Sequence, residues 1–441
     1  SYYSGKSVET KINESLDSVK ILNHRGFYKR ALKILKKVKQ LAWEYEKYYQ
    51  LLPILEWEYG IYSVLYSNDK MQEHKKKYLE ERAYLFEVIE NEHQYELLGD
   101  EAHDLYREDV VVRTEDDLKK YEDIIKHPLL QNIETALSYD AKKMFLSIWA
   151  LYHTIKKDYF AAFSYDKMQL ELLEENSNLK EEGIFYYLEV SHNLLYNCLE
   201  LRHYEEFMEI MEKIKAIPSK KQYADKLSFQ DYANIFDTIH GLSLDYYFDT
   251  RQFDKALETI APIKKGLKKY RAALEDETKI YLYFNVSKLL FYTSSYEESL
   301  EWVSKVDFHE KQTSADGTIC YARILKLLIY YELGESYFDL LQYEIKSTRR
   351  FLQKKERLYQ VEDTILKYLY RLVSTSDLDL TDDLYHKFKE ALQYLMLQKF
   401  EKSASSYLNL IYWLDSKIEN QSLREIMIKD FNAQNQKSSQ S

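Results

Sequence analysis

Two glutamate–histidine pairs have the spacing of a metal-binding helix motif. Glu90 lies three positions before His93, and Glu200 lies three positions before His203. On a helix, this spacing places a carboxylate and an imidazole on one face, as the di-iron sites of helical bundles require. Such a site also needs two glutamates from facing helices, and no pattern in the sequence identifies them. We therefore expect both pairs to lie on solvated helix faces, with no metal site and no cofactor.

The sequence lacks the short motifs of common catalytic sites. It contains no glycine-rich phosphate loop, no Gly-x-Ser-x-Gly and no His-Glu-x-x-His. The two cysteines, Cys198 and Cys320, are too few for a disulfide framework or a thiolate metal site. They fit a reducing compartment such as the cytoplasm, and we expect both to be small buried apolar residues. These observations favour a protein that is not an enzyme.

Three stretches are rich in lysine and arginine. Each is either a solvated face of a highly charged protein or a patch for an acidic peptide, a phosphate or RNA. Interleaved acids such as Glu356, and a formal net charge of −11, argue against nucleic acid. The stretches contain Lys29, Arg30, Lys33, Lys36, Lys37 and Lys39; Lys264, Lys265, Lys268, Lys269 and Arg271; and Arg349, Arg350, Lys354, Lys355 and Arg357. We favour solvated faces and expect no nucleic-acid partner.

The composition indicates long helices joined by short polar turns. The 441 residues include only 9 glycines and 4 prolines, whereas sheets and βα units need these residues at their tight turns. Apolar residues make up 45% of the chain, which is ample for a core. No apolar run approaches the roughly 18–20 residues that span a bilayer. The sequence therefore predicts an all-α protein with no membrane partner.

Five units share one local pattern, in which an aromatic residue follows a polar turn and apolar or small residues follow three and seven positions later. Residues at these intervals lie on one face of a helix. The helix upstream carries a matching face, where a small residue such as Ser287 lets the second helix approach the first. The aromatic anchors are Tyr28, Tyr159, Tyr204, Phe253 and Tyr296, with a weaker sixth at Tyr337. From Tyr159 onward the anchors are 41–49 residues apart, which predicts a repeat of helix pairs.

These residues carry a resemblance to a known repeat. Gly26, Tyr28 and Ala31 match the Gly-x-Tyr-x-x-Ala turn of the tetratricopeptide (TPR) repeat, and Tyr296 and Ser299 match it with conservative changes. The TPR period is 34 residues, so this chain resembles a longer, degenerate form, like that of bacterial peptide-sensing regulators. The stretch 407–420 resembles TPR-like proteins of Bacteroidetes-type bacteria. The resemblance implies a right-handed α-solenoid of TPR-like antiparallel helix pairs.

The repeat pattern divides the chain into five segments. It is clear from 10 to 50 and from 140 to 345, and the part between them contains a long charged helix and a short non-helical run at 109–113. We expect the N-terminal part to hinge near that run. The segments are 1–108, N-terminal helical repeats and the long charged helix; 109–135, an irregular connection and a short helix; 136–345, the TPR-like solenoid; 346–432, C-terminal helices; and 433–441, a disordered tail.

In a TPR-like array, the first helix of each pair lines a concave face on which an extended peptide can lie. The repeat frame directs polar residues of three first helices to that side. Asparagine can hold a peptide backbone, and lysine or arginine can bind a carboxylate. Tyr281, Phe284, Phe291 and Tyr292 are either side walls of this groove or core residues. The candidate binding residues are His192, Asn193, Asn285, Lys288, Arg323 and Lys326. They predict an extended peptide that is acidic or ends in a carboxylate.

Two classes of function fit this pattern. The first is a non-enzymatic scaffold that binds a protein or an extended peptide on its concave face. The second is a peptide-sensing regulatory protein whose output domain is missing or trimmed. The chain begins with Ser1 rather than methionine, so we expect that the natural N-terminus has been trimmed. No recognition-helix pair is evident in residues 1–30, and we therefore favour the scaffold.

Overall fold

The protein is described by a computed structural model that covers residues 8–67, 69–108, 115–176, 184–220, 223, 227–308, 316–398, 401 and 407–438. Within these residues the secondary structure is helical and contains no strand, which confirms the all-α prediction. The run 109–113, expected to be non-helical, lies outside the described residues. None of the described helices combines the length and the apolarity that crossing a bilayer requires.

The described residues form two compact units, each built from separate stretches of the chain. The first unit lies within Ser1–Asp104, Lys119–Leu201 and Ala216–Leu227, and the second within Leu105–Leu118, Arg202–Lys215 and Ser228–Ser441. The expected segment boundaries after residues 108, 135 and 345 remain predictions. The stretch 136–345 contributes residues to both units.

Among the α-helices whose bounds the structure describes, eight lie wholly or mainly in the first unit. α1 packs against α2 and α3, α2 packs against α3, and α7 packs against both α6 and α8. The helices are α1 (Val8–His24), α2 (Tyr28–Glu44), α3 (Tyr48–Leu65), α4 (Asp69–Glu108), α5 (Glu115–Ile125), α6 (Tyr139–Ile155), α7 (Tyr159–Glu175) and α8 (Ile184–Leu201). The long charged helix expected from residue 71 onward is α4. The N-terminal core includes Ile12, Leu35, Leu51, Ile61 and Leu85.

Two side chains of α4 hold the segment that leads into α6. Asn91 Nδ2 donates to the Thr135 carbonyl at 3.0 Å, and Asn91 Oδ1 accepts from the Leu137 N–H at 3.0 Å. The Tyr95 hydroxyl donates to the Leu129 carbonyl at 2.6 Å. Because these bonds satisfy backbone groups outside regular helices, they fix the last part of the connection in which we expected a hinge.

The remaining helices lie in the second unit, except that the last residue of α9 belongs to the first. From α10 to α20, each helix packs against the next, and α13 also packs against α10 and α15. The helices are α9 (Tyr204–Ala216), α10 (Phe229–Asp249), α11 (Phe253–Glu258), α12 (Ile260–Lys269), α13 (Asp276–Tyr292), α14 (Tyr296–Val303), α15 (Asp316–Glu332), α16 (Phe338–Lys354), α17 (Gln360–Val373), α18 (Leu378–Leu395), α19 (Leu410–Ile418) and α20 (Leu423–Ser438). α20 thus extends into the expected disordered tail, and 439–441 lie outside the described residues.

One turn geometry recurs before the aromatic anchors. A residue with left-handed backbone ends one helix, and the anchor begins the next helix two residues later. In the turn before Tyr296, the Ser295 N–H bonds the Leu290 carbonyl at 2.8 Å, which is the Schellman arrangement that closes a helix. The left-handed residues are Gly26, Glu46, Lys157, Arg202, Arg251 and Ser294, with φ between 49° and 73°. The turn before Tyr48 is a further copy that the sequence pattern did not identify.

Small residues lie where the sequence placed the helix crossings. Ala31, Ala162, Ala256 and Ser299 each lie three positions after an aromatic anchor, and none of them has exposed surface. At the crossing of α13 and α14, Ser287 Oγ donates to the Ser299 carbonyl at 2.9 Å. Ser299 Oγ donates in return to the Ser287 carbonyl at 2.7 Å. The helices approach closely because neither position carries a larger side chain.

Candidate functional site

The first pair of predicted binding residues lies on α8, in the first unit. His192 is half-buried, and burial lowers the pKa of its imidazole to about 4. The ring is therefore neutral at physiological pH and provides no charge for a ligand carboxylate. Asn193, the next residue, is exposed. The other four predicted residues lie in the second unit, where they form two separate groups.

Arg323 and Lys326 lie on α15 beside a cleft of about 230 Å³. Lys326 Nζ is 2.9 Å from Asp307 Oδ2, and this ion pair raises the pKa of Lys326 against the effect of burial. The Arg323 guanidinium lies 4.2 Å from the centre of the Phe351 ring on α16. The protein's own carboxylate therefore already pairs the ammonium group that was expected to bind a ligand carboxylate.

Asn285 and Lys288 belong to a polar cluster where α13 packs against α10, which we call the α10–α13 face. The Tyr281 hydroxyl donates a hydrogen bond to the Asp245 carboxylate. One end of the cluster is marked by Asp237, whose Oδ2 lies 3.5 Å from the Thr278 hydroxyl. The α10–α13 face comprises Asp237, Gly241, Asp245, Asp249, Tyr281, Asn285 and Lys288. Its charged side chains are half-buried, so a ligand can still reach them.

Lys288 lies between aromatic rings and carboxylates. Its Nζ is 4.8 Å from the centre of the Phe248 ring and 5.4 Å from that of Phe284. Burial lowers the pKa of Lys288, and the negative charges of Asp245 and Asp249 counter this change. A cation placed over two rings and attracted by two carboxylates is stabilised within the protein. Lys288 therefore balances part of the acidic charge of the face.

The three carboxyl groups of the α10–α13 face have raised pKa values. Burial raises the pKa of Asp245 to about 6, although Lys288 and the Tyr281 hydroxyl act in the opposite direction. Burial also raises the pKa of Asp237 to about 6. The pKa of Asp249 is raised by burial as well. Several groups with pKa values shifted in this way, close together where two helices pack, are a common property of functional sites.

Asn285 combines deep burial with incomplete hydrogen bonding. Only 2% of its surface is exposed, and its Nδ2 has no hydrogen-bond acceptor. The amide is directed towards the Tyr281 hydroxyl and slightly counters the rise in the pKa of Tyr281, but it does not reach hydrogen-bonding geometry. A buried donor without an acceptor costs about 1–3 kcal/mol. Asn285 is therefore an amide group whose acceptor the protein itself does not supply.

The sequence interpretation missed three aspartates of α10, namely Asp237, Asp245 and Asp249. Asp245 lies eight residues before the anchor Phe253, just as Lys288 lies eight residues before the anchor Tyr296. The two residues therefore hold equivalent positions in successive repeats. Extending the repeat frame to the helix before Phe253 would have found Asp245. Of the proposed aromatic side walls, Tyr281 joins the face, whereas Phe284, Phe291 and Tyr292 are buried in the core.

A second polar cluster lies between α7 and α8. Asp166 is 1% exposed, and its Oδ2 accepts a hydrogen bond from Asn197 Nδ2 at 2.7 Å. Its Oδ1 accepts from Gln169 Nε2 at 3.0 Å, and the Tyr186 hydroxyl donates to Gln169. Burial raises the pKa of Asp166 to about 7. Since the chain occupies both carboxylate oxygens with amide donors, this cluster specifies how the two helices pack.

The glutamate–histidine pairs have not formed a metal centre in the part of the chain that the structure describes. There, no group of three or more histidine, cysteine, aspartate or glutamate residues could hold an ion. His93 is instead 3.8 Å from Glu96 on the same helix. Both cysteines are buried, as predicted.

The basic stretches differ in their surroundings. The five lysine and arginine residues from Lys264 to Arg271 are exposed, and so are Lys29, Arg30 and Lys33. Lys39 is an exception, because its Nζ lies 2.8 Å from both Glu58 and Glu81 and so joins α2 to α3 and α4.

Comparison with known proteins gives no assignment. The sequence matches no protein-family model and no curated protein. The α10–α13 face is therefore the feature of the molecule from which a function can be argued.

Proposed function

We propose that the protein is a non-enzymatic scaffold that binds an extended segment of a partner protein, or a peptide, along the first helices of its helix pairs. In this proposal the pairs are TPR-like and belong to a right-handed α-solenoid. The bound segment lies on the α10–α13 face, in contact with Asn285 and Tyr281.

Two features of the fold support a repeat scaffold. The same left-handed turn precedes six helices that begin with an aromatic residue, so the chain repeats one type of connection between helices. Helices that are not adjacent in the chain also pack together: α1 packs against α3, and α13 packs against both α10 and α15. Stacked pairs with contacts between successive first helices are the construction of solenoid proteins, and their first helices form an extended binding surface.

The observation that carries the proposal is the Asn285 amide. Its Nδ2 is buried without an acceptor, among half-buried groups that a ligand can reach. A peptide carbonyl is a suitable acceptor, because an extended segment presents unpaired carbonyl groups along its length. A modest rotation of Tyr281 or Asn285 would bring the amide to such a group.

The proposal differs from the sequence prediction in the charge of the ligand. Lys288 is attracted by Asp245 and Asp249, and Lys326 is paired with Asp307. These two ammonium groups therefore do not create the positive surface on which a carboxylate-ended peptide would depend. Contact with the ligand backbone replaces carboxylate recognition in the proposal.

The test begins with peptides selected by the intact protein from a library of random linear sequences. Their affinity is measured by fluorescence anisotropy for the parent, for Asn285→Ala and for Lys326→Ala as a matched control in the separate cleft. We expect Asn285→Ala to weaken binding about fivefold, because a neutral hydrogen bond contributes about 1 kcal/mol. Its melting temperature should stay close to that of the parent, because the amide donor has no acceptor to lose.

Two outcomes would contradict the proposal. If the parent retained no peptides above a mock selection, the protein would not be a peptide-binding scaffold. If Asn285→Ala bound the same peptides with unchanged affinity and Lys326→Ala did not, the binding site would be the cleft beside α16.

A further inference from the structure

The charges of the α10–α13 face do not balance along its length. Lys288 acts on Asp245 and Asp249, and the positive charges of Arg251 and Arg202 also act on Asp249. At the other end, the charged group that acts on Asp237 is a further carboxylate, Glu275. The Asp237 end of the face is therefore acidic.

Gly241 marks the part of α10 that lies between the two carboxylates. It lies one helical turn from Asp237 and one from Asp245, so both carboxylates are on its side of α10. The position of a Cβ on Gly241 would be 3.5 Å from Tyr281 Cε1 and 3.6 Å from Asp237 Oδ1, which are ordinary van der Waals distances. The Tyr281 ring therefore lies against α10 at this point, next to both carboxylates. An aromatic ring beside carboxylates is the environment that guanidinium and ammonium groups prefer.

We propose that this acidic end of the α10–α13 face holds an arginine or lysine side chain of the bound segment, in contact with Asp237, Asp245 and Tyr281. This inference rests on the proposed function and adds the chemical class of the ligand. The buried Asn285 amide provides an independent indication of a ligand, because its donor needs a carbonyl acceptor at the same face. A basic side chain and its own backbone carbonyl satisfy both requirements.

The experiment compares the peptides selected by the parent with those selected by Asp237→Asn/Asp245→Asn. The matched control is Glu297→Gln/Glu298→Gln, which removes two charges from the exposed start of α14. We expect arginine or lysine at one fixed position of the peptides selected by the parent and by the control. We expect no such preference in the peptides selected by the aspartate variant.

Affinities then separate the charge contact from other effects. A selected basic peptide should bind the aspartate variant at least tenfold more weakly than the parent, since contacts between paired charges are strong. The same peptide with alanine at the basic position should bind both proteins equally. Asp237→Asn alone is a second variant in case the double variant does not fold, because asparagine can keep the contact with Thr278.

The outcomes distinguish this inference from the function on which it rests. Selected peptides without a basic preference, or with a basic preference that persists in the aspartate variants, would overturn the inference and leave the scaffold proposal standing. If the parent selected no peptides at all, both would fail.

Discussion

Asp166 is a buried acid whose direct partners are two amides. Burial raises its pKa to about 7, although the hydrogen bonds that Asn197 and Gln169 donate to its carboxylate act in the opposite direction. The nearby charge of Glu189 raises this pKa further. Because the folded protein holds the proton more tightly than the unfolded chain, the contribution of Asp166 to stability is complete below about pH 4 and is lost as the pH rises to about 7.

We therefore expect Asp166→Asn to make the protein less sensitive to pH. Asn197 Oδ1 is buried without a hydrogen-bond partner, so a turned Asn197 amide can accept a hydrogen bond from the amide group that the substitution introduces. At pH 5 the variant should be about as stable as the parent, whereas at pH 8 it should be more stable by on the order of 2 kcal/mol. Chemical unfolding at both pH values measures this difference. If parent and variant lost the same free energy of unfolding between pH 5 and pH 8, Asp166 would not be the cause of the pH dependence.

Single residues of the site were predictable to different degrees. The repeat frame alone placed Asn285 and Lys288 on the same side of a first helix, and the structure puts them in one polar cluster. The frame could not show that Asp245 lies opposite Lys288, because that contact depends on how two helices pack rather than on spacing along one. For the same reason, the sequence could not show that Lys326 pairs with Asp307.

At the scale of the helices, Gly266 is a position where helix propensity favours alanine but the packing of a neighbouring ring favours glycine. Alanine is favoured over glycine inside a helix by about 1 kcal/mol. In α12, however, a Cβ on Gly266 would overlap the ring of Phe236, which is 7% exposed and cannot move into solvent. At Gly60 in α3, no described atom lies within 4 Å of the Cβ position apart from the neighbouring residues and backbone of its own helix. The two glycines should therefore respond in opposite directions to the same substitution.

We expect Gly266→Ala to lower the free energy of unfolding by about 1–2 kcal/mol, because overpacking exceeds the gain in helix propensity. Gly60→Ala, the control, should raise it by about 0.5–1 kcal/mol. Thermal and urea unfolding measure both values. If both variants were stabilised, α12 would not pack as closely on α10 as the structure describes.

The recurring turns show why helix pairing could be predicted before the helices were seen. An aromatic residue after a polar turn marks each helix start, and the small residue three positions later marks the crossing. The left-handed position itself was visible only at Gly26, since glutamate, lysine, arginine or serine occupies it in the other copies. These residues adopt a left-handed backbone conformation that costs glycine less free energy. Their residue types therefore do not predict the turn.

The whole molecule should have the far-ultraviolet circular dichroism of an almost entirely helical protein. The described residues contain no strand, and the sequence has few of the glycines and prolines that sheets need at their tight turns. Ordinary globular proteins have about 20–25% strand. A measured sheet content above about a tenth would contradict the architecture.

The division into two units could not be predicted from the sequence pattern. Each unit combines stretches that are separated along the chain, such as Lys119–Leu201 with Ser1–Asp104. Hydrophobic periodicity reports which face of a helix is buried, but it does not report which distant helix covers that face. The helices could therefore be predicted, whereas their grouping into compact bodies could not.

The recurring turns also affect how a newly made chain folds. Each turn closes through backbone bonds between near neighbours, as when the Gln252 N–H bonds the Tyr247 carbonyl at 2.9 Å. Contacts between neighbouring residues cost little loop-closure entropy and form quickly. A chain leaving the ribosome can therefore close one helix pair before the next has been synthesised, and each apolar face is covered soon after it emerges. The repeated turn thus shortens the time during which apolar surface of the new chain is exposed and can aggregate.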